Sequence, residues 1–118
     1  MYSYERLSDD IKIAVSPEHT FGTDAVLLAD FAKIKHRDTA IDLGTGCGII
    51  PLLWLRDKNI GTVHCVEIQQ NAYEQVCHSA QLNSLGGRLV PHLADLRKIE
   101  EHFPAGSFSL GTINPPYK

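Results

Sequence analysis

Ala40-Ile41-Asp42-Leu43-Gly44-Thr45-Gly46-Cys47-Gly48 decides how the rest of the chain is read. A short apolar run carries one acid, three glycines follow at alternate positions, and Ile49-Ile50-Pro51-Leu52-Leu53-Trp54-Leu55 then resumes as an apolar segment. Proline suits the first turn of a helix, where its missing N–H costs little. The order is therefore strand, glycine loop, helix. Glycines give such a loop backbone conformations closed to other residues and let a ligand approach the main chain. The spacing is Gly-x-Gly-x-Gly, unlike the Gly-x-Gly-x-x-Gly of dinucleotide loops, so the expected ligand is a nucleoside without a pyrophosphate.

Upstream, Ile11, Ile13 and Val15 alternate with Lys12 and Ala14, which predicts a short half-exposed strand after the turn-like Ser8-Asp9-Asp10. A helix is expected over residues 25–33, with Thr23 as its cap, Asp24 in its first turn and Val26, Leu27, Phe31 and Ile34 as its apolar face. Downstream, residues 39–43 form the first core strand and residues 48–57 a helix. Residues 62–68 read as a second, buried strand, and residues 70–83 as a helix with Ala72, Val76 and Ala80 spaced by four. Residues 88–93 give a third strand and residues 108–113 a fourth. Pro91 removes a ladder donor and places the third strand at the sheet edge. Between Asp95 and Phe108 there is room for a helix of about two turns before Pro104 stops it. The alternation β-α-β-α-β implies an α/β fold with a parallel sheet and right-handed crossovers.

The chain has 118 residues, enough for one modest domain. A net charge of -3 gives no global signal for a nucleic-acid partner. The densest basic group, Lys33, Lys35, His36 and Arg37, reads as a solvated helix end, with an RNA contact as the alternative. Cys47, Cys65 and Cys77 show no Cys-x-x-Cys spacing and read as small buried thiols of a reducing, cytoplasmic compartment. No signal-peptide pattern or apolar run of about eighteen residues points to export or a membrane, and no cluster with metal-ligand spacing appears.

Four strand ends carry a hydrogen-bonding residue: Asp42, Glu67, Asp95 and Asn114. Ligands of open α/β sheets sit beyond the carboxyl ends of the strands, so these four converge on one site with Gly44, Gly46 and Gly48. Glu67 lies 19 residues past Gly48, near the interval at which a carboxylate binds ribose hydroxyls. A carboxylate can accept from both hydroxyls of a vicinal diol. Asp95 could accept from an adenine amino group, while Ile68 and Leu96 either flank the ring or belong to ordinary core.

Asp42-x-Gly-x-Gly-x-Gly48, Glu67, Asp95 and Asn114-Pro115-Pro116-Tyr117 together resemble the class I S-adenosylmethionine-dependent methyltransferases that act on planar amino or amide nitrogens. Phe21-Gly22-Thr23-Asp24-Ala25-Val26-Leu27-Leu28 narrows the likeness to the bacterial group that methylates N6 of adenosine 37 in a valine tRNA. The resemblance implies a Rossmann-like methyltransferase sheet, here its N-terminal part with about four parallel core strands. Residues 1–37 would form a strand-and-helix extension and residues 38–118 the cofactor-binding half-domain. It further implies S-adenosyl-L-methionine as cofactor, tRNA as substrate and Thr23 near the cofactor. Asn114 and the Pro115 carbonyl would accept the two N–H bonds of the target nitrogen, Tyr117 would stack on the base, and Pro116 would help stiffen the loop. Glutamine-N5 methylation of a release factor is the alternative acceptor, and a non-catalytic cofactor-binding or assembly module the alternative class. Three further strands belong to the family's sheet, so the fourth strand is expected to leave an open edge that favours self-association or instability. Ser109 stands where the family commonly carries an acid, and Gly111 weakens the fourth strand.

Overall fold

A computed structural model describes residues 1–113. Its elements run β1 (Ser3–Arg6), β2 (Lys12–Val15), α1 (Thr23–Ala32), β3 (Ala40–Leu43), α2 (Ile49–Trp54), β4 (Val63–Glu67), α3 (Gln70–Leu82), β5 (Leu89–Leu93) and β6 (Leu110–Ile113), with a 310 helix at Leu96–Glu101. Among the described residues the main sheet has four parallel strands in the order β5-β4-β3-β6. The chain steps outward from β3 to β5, then returns to the other side of β3 for β6. That reversal is where open α/β sheets bind ligands. β5, with Pro91, lies at an edge as the missing donor requires. No described helix is long and apolar enough to cross a membrane.

Side chains alternate between the two faces of each strand, and one face of the sheet meets the main core. Ala40, Val63, Cys65 and Leu89 pack there against Ala25 and Ala29 of α1, the wholly buried α2, and Val76 and Ala80 of α3. On the other face the His64 and His92 rings stack 5.2 Å apart, joined by a 2.9 Å hydrogen bond between Nδ1 of His64 and Nε2 of His92. Phe103 meets both imidazoles edge-on, at 5.8 Å from His64 and 4.9 Å from His92, and Phe108 packs on Phe103 at 5.0 Å. This cluster anchors the segment that leaves the 310 helix.

The strand expected around Ile11, Ile13 and Val15 forms as β2, Lys12–Val15, but it is not half-exposed. Ile13, Ala14 and Val15 are all buried, because β2 pairs with β1 along one edge while α3 covers the other. β1 has no apolar alternation and was not expected. Side chains of α3 act as a surrogate strand for β2: Asn83 Nδ2 donates to the Lys12 carbonyl at 2.6 Å and its Oδ1 accepts from the Lys12 amide at 2.8 Å. Ser79 Oγ accepts from the Ala14 amide at 3.0 Å. Gln75, 1% exposed, donates to the carbonyls of Ala14 and His19 at 2.8 Å each and accepts from Ser16 Oγ at 2.8 Å. A strand edge left in the core without such partners would carry costly unpaired amides and carbonyls.

Four local expectations need correction. The buried face of α1 is Ala25 and Ala29; Val26, Leu27 and Phe31 are 37%, 61% and 81% exposed, because small residues let α1 lie close to α2. Ile34 is half-buried beside the core. Thr23 does not cap α1: Gly22 occupies the cap position and no side chain bonds there, so Thr23 is the first helical residue. The crossover after Asp95 is a 310 helix rather than two α-helical turns, with Asp95 as its cap, accepting from the Arg97 amide. α2 is also shorter than its apolar run, ending at Trp54, whose indole N–H donates to the Ala29 carbonyl at 3.1 Å.

Candidate nucleoside site at the strand ends

The glycine loop takes the backbone shape its composition allows. Gly44, Gly46 and Gly48 have φ of 67°, 60° and 86°, in the left-handed region that glycine occupies without a Cβ penalty. The amides of Gly44 and Thr45 both donate to the Val66 carbonyl, at 2.9 and 3.0 Å, which ties the loop to the carboxyl end of β4. Gly48 serves packing as well. A Cβ there would lie 3.2 Å from both Val76 methyls, so any larger residue at this position would push Val76 back by a few tenths of an ångström. At Gly46 the same atom would meet nothing within 4 Å.

Glu67 spans two turns. Its Oε1 accepts from the Gly46 amide at 2.9 Å and its Oε2 from the Gln69 amide at 3.0 Å. Each oxygen keeps a further lone pair, and the two lie side by side, an arrangement able to accept from two adjacent hydroxyls. Glu67 borders a cavity of about 290 Å3 together with Gly44, Ile68, Asp95, Leu96 and Arg97. Ile68 enters from the end of β4 and Leu96 from the 310 helix, giving the cavity apolar walls on both sides. Asp95 is held by Arg97: Nε donates to Oδ1 at 3.0 Å and to Oδ2 at 3.2 Å, and Nη2 donates to Oδ2 at 2.7 Å. Those side-chain bonds come first, and the backbone bond and the cationic charge add to them, bringing the Asp95 carboxyl down to about 2.

Asp42 lies outside this cavity. It is 1% exposed, and its two oxygens accept from the hydroxyls of Thr45 and Thr112 at 2.7 Å each. Burial pushes its carboxyl up to about 6; the two hydroxyls oppose that rise and the charge of Glu67 adds to it. Asp42 thus fastens β3, the glycine loop and β6 to one another from beneath. Burial likewise raises the Cys47 thiol to about 12, and all three cysteines are free.

Gly44, Glu67, Ile68, Asp95 and Leu96 therefore line one hollow, with Gly46 joined to it through Glu67. Thr23 is exposed at the start of α1 and is not among the lining residues. Asn114, Pro115, Pro116 and Tyr117 lie outside the described residues. Sequence reasoning missed Arg97, Thr45 and Thr112. Arg97, two residues past a strand-end acid, was visible as a local pair, whereas Thr112 is tied to Asp42 across 70 residues of chain. A larger hollow of about 530 Å3 near Lys33, Trp54 and Arg56 contains none of the expected site residues. Among the described residues no three His, Cys, Asp or Glu side chains group as a metal site.

No protein-family model matches the chain. In structure it superposes on the Pyrococcus abyssi tRNA (uracil-54, C5)-methyltransferase, solved in complex with S-adenosyl-L-homocysteine, with a TM-score of 0.70 and 19% identity over 98% of this chain and 28% of that one. The fold is that of a methyltransferase. Within this Rossmann-like methyltransferase fold, the described strands are β3, β4, β5 and β6, and the hollow sits at the carboxyl ends of β3, β4 and β5. In sequence the chain is similar to the tRNA1(Val) (adenine(37)-N6)-methyltransferase of Christiangramia forsetii, 35% identical over 98 residues, covering 81% of this chain and 41% of the relative. The protein of the same name from Actinobacillus pleuropneumoniae serotype 5b is 31% identical over 96 residues, 80% of this chain and 39% of the relative. The chain thus spans about two fifths of the curated relatives it matches. These relatives bear out the resemblance read from the glycine loop and the strand-end acids.

Proposed function

We propose that the chain is the cofactor-binding part of an S-adenosyl-L-methionine-dependent N-methyltransferase acting on adenine in tRNA. The observation that carries this reading is the Glu67 carboxylate, fixed by the Gly46 and Gln69 amides at the mouth of a hollow with aliphatic walls. It fits a nucleoside: two spare acceptor positions for a ribose diol, Ile68 and Leu96 for the faces of a purine, and Asp95 for an amino group. Gly44 and Gly46 leave room for a ligand against the main chain. When bound, the cofactor supplies an electrophilic methyl group. The chain's own task is positioning, which can contribute about 7–11 kcal/mol when nucleophile and electrophile are held in line.

The acceptor reading rests on Asn114-Pro115-Pro116-Tyr117 in the sequence and on the printed names of the relatives. The Asn114 amide oxygen and the Pro115 carbonyl would accept the two N–H bonds of the adenine amino group, freeing its lone pair. Pro116 would restrict the loop, and Tyr117 would stack on the base, worth about 1–3 kcal/mol. A tRNA substrate and free thiols both suit a cytoplasmic location. Residues 1–37 would buttress the half-domain, and self-association through the β6 edge, unpaired among the described residues, is part of the same proposal.

Calorimetric titration with S-adenosyl-L-homocysteine tests the cofactor half. Glu67→Ala is expected to weaken binding by at least about tenfold, the loss of bonds to a charged acceptor, and Glu67→Gln by less. Undiminished affinity in Glu67→Ala overturns the assignment. Incubation of the chain, joined to the remaining length found in its relatives, with labelled cofactor and undermodified tRNA or release factor tests the acceptor. Label in tRNA is the expected result, and label in protein alone overturns it.

A further inference from the structure

Arg97 is the one cation among the described residues lining the hollow. Beyond the three side-chain bonds already given, its main-chain amide donates to Asp95 Oδ1 at 2.9 Å. Arg97 thus aims three N–H groups at the two Asp95 oxygens, the single Nε–H shared between them, and an ionised carboxylate has about four acceptor positions in all. A purine amino group must therefore compete with Arg97 for most of the acceptor positions of Asp95. The guanidinium faces water, its side chain 80% exposed against 19% for Asp95, so it can swing away while Asp95 stays in the hollow.

We infer that Arg97 sets the affinity and base preference of the purine subsite, by releasing part of its hold on Asp95 when a 6-amino purine binds and by offering its own N–H donors to a 6-oxo purine. The inference rests on the cofactor reading above. Asp95 alone presents only acceptors and so selects an amino group, whereas Asp95 with Arg97 presents acceptors and donors together. The pair makes the subsite more tolerant and weaker for adenine than the carboxylate alone.

The test is titration of the wild type, Arg97→Ala and Arg97→Gln with S-adenosylhomocysteine and its 6-oxo counterpart S-inosylhomocysteine, at low and at moderate salt. Arg97→Ala is expected to bind the adenosyl ligand about two- to fivefold tighter, the range of one exposed ion pair, and the inosyl ligand no tighter. Arg97→Gln falls between. Added salt screens the pair, so the wild type gains adenosyl affinity with salt while Arg97→Ala does not. An unchanged ratio of the two affinities in Arg97→Ala, or a weaker adenosyl complex, overturns the role of Arg97 while wild-type binding keeps the cofactor reading intact. Failure of wild type and variants alike to bind either ligand overturns the cofactor reading and this inference with it. Circular dichroism confirms that each variant is folded, which the exposure of Arg97 favours.

Discussion

Thr45 and Thr112 each donate to one oxygen of Asp42, yet loss of water outweighs both and raises the carboxyl from 3.8 to about 6. A folded-state pKa above the unfolded value gives stability that is complete below the unfolded pKa and lost as pH rises through the folded one. The window is therefore about pH 4 to 6, with stability falling upward. His64 and His92 titrate in the opposite sense: burial lowers both, so their part of the stability is lost as pH falls below their ordinary 6.5. The difference between wild type and Asp42→Asn isolates the first effect. Between pH 4 and 7 it is expected to move in the variant's favour by about 2–3 kcal/mol, read from urea unfolding at stepped pH. Parallel stability curves for the two proteins would contradict this. The sequence showed Asp42 as the acid of the loop but not which way it faces, because the residue that covers it, Thr112, arrives from a strand 70 positions away. Glu67 was easier to place, since its partners Gly46 and Gln69 belong to turns fixed by local composition.

At the scale of elements, the join between the glycine loop and α3 depends on what is missing from Gly48. Alanine there would suffer twice, from a left-handed φ of 86° and from Val76 methyls 3.2 Å away. Alanine at Gly46, at φ 60° in open space, would suffer only the backbone term, about 1–2 kcal/mol. Gly48→Ala is expected to cost about 2–4 kcal/mol, and the extra cost to shrink in a Val76→Ala background, a coupling of about 1 kcal/mol. Equal losses for the two glycines in denaturant unfolding would refute the packing account. The succession of strands and helices was plain from apolar runs broken at Gly61, Gly86, Gly87 and Pro104, because punctuation of that kind is local. The inward face of α1 was not: the larger side chains suggested Val26, Leu27 and Phe31, and the alanines won because helix α2 lies too close for anything bigger. β1 was invisible for a related reason. Its four residues are all exposed, so no burial pattern marks them in the sequence.

For the molecule as a whole, Val26, Leu27, Phe31 and Ile113 place four large exposed apolar side chains on two neighbouring elements. β6 is an unpaired edge among the described residues, with Ile113 51% exposed, and α1, which touches it, shows Leu27 and Phe31 to solvent. Such an edge pairs readily with another chain. Sedimentation velocity of the 118-residue chain is expected to show concentration-dependent association, reduced in Leu27→Lys/Phe31→Glu; a single monomeric boundary at all concentrations would remove this expectation. The hairpin at the opposite end of the chain raises a question of timing. Lys12 and Ala14 find their partners 71 and 65 residues later, in Asn83 and Ser79. At synthesis rates of about 5–20 residues per second, roughly 4–14 s separate the emergence of β2 from that of its surrogate strand. During that interval Ile13 and Val15 are apolar residues with nothing to cover them. The hairpin is thus made well before the helix that completes it, and a ribosome-bound chain halted before residue 83 should expose the hairpin to proteases or to a holding chaperone, whereas one carried past it should not.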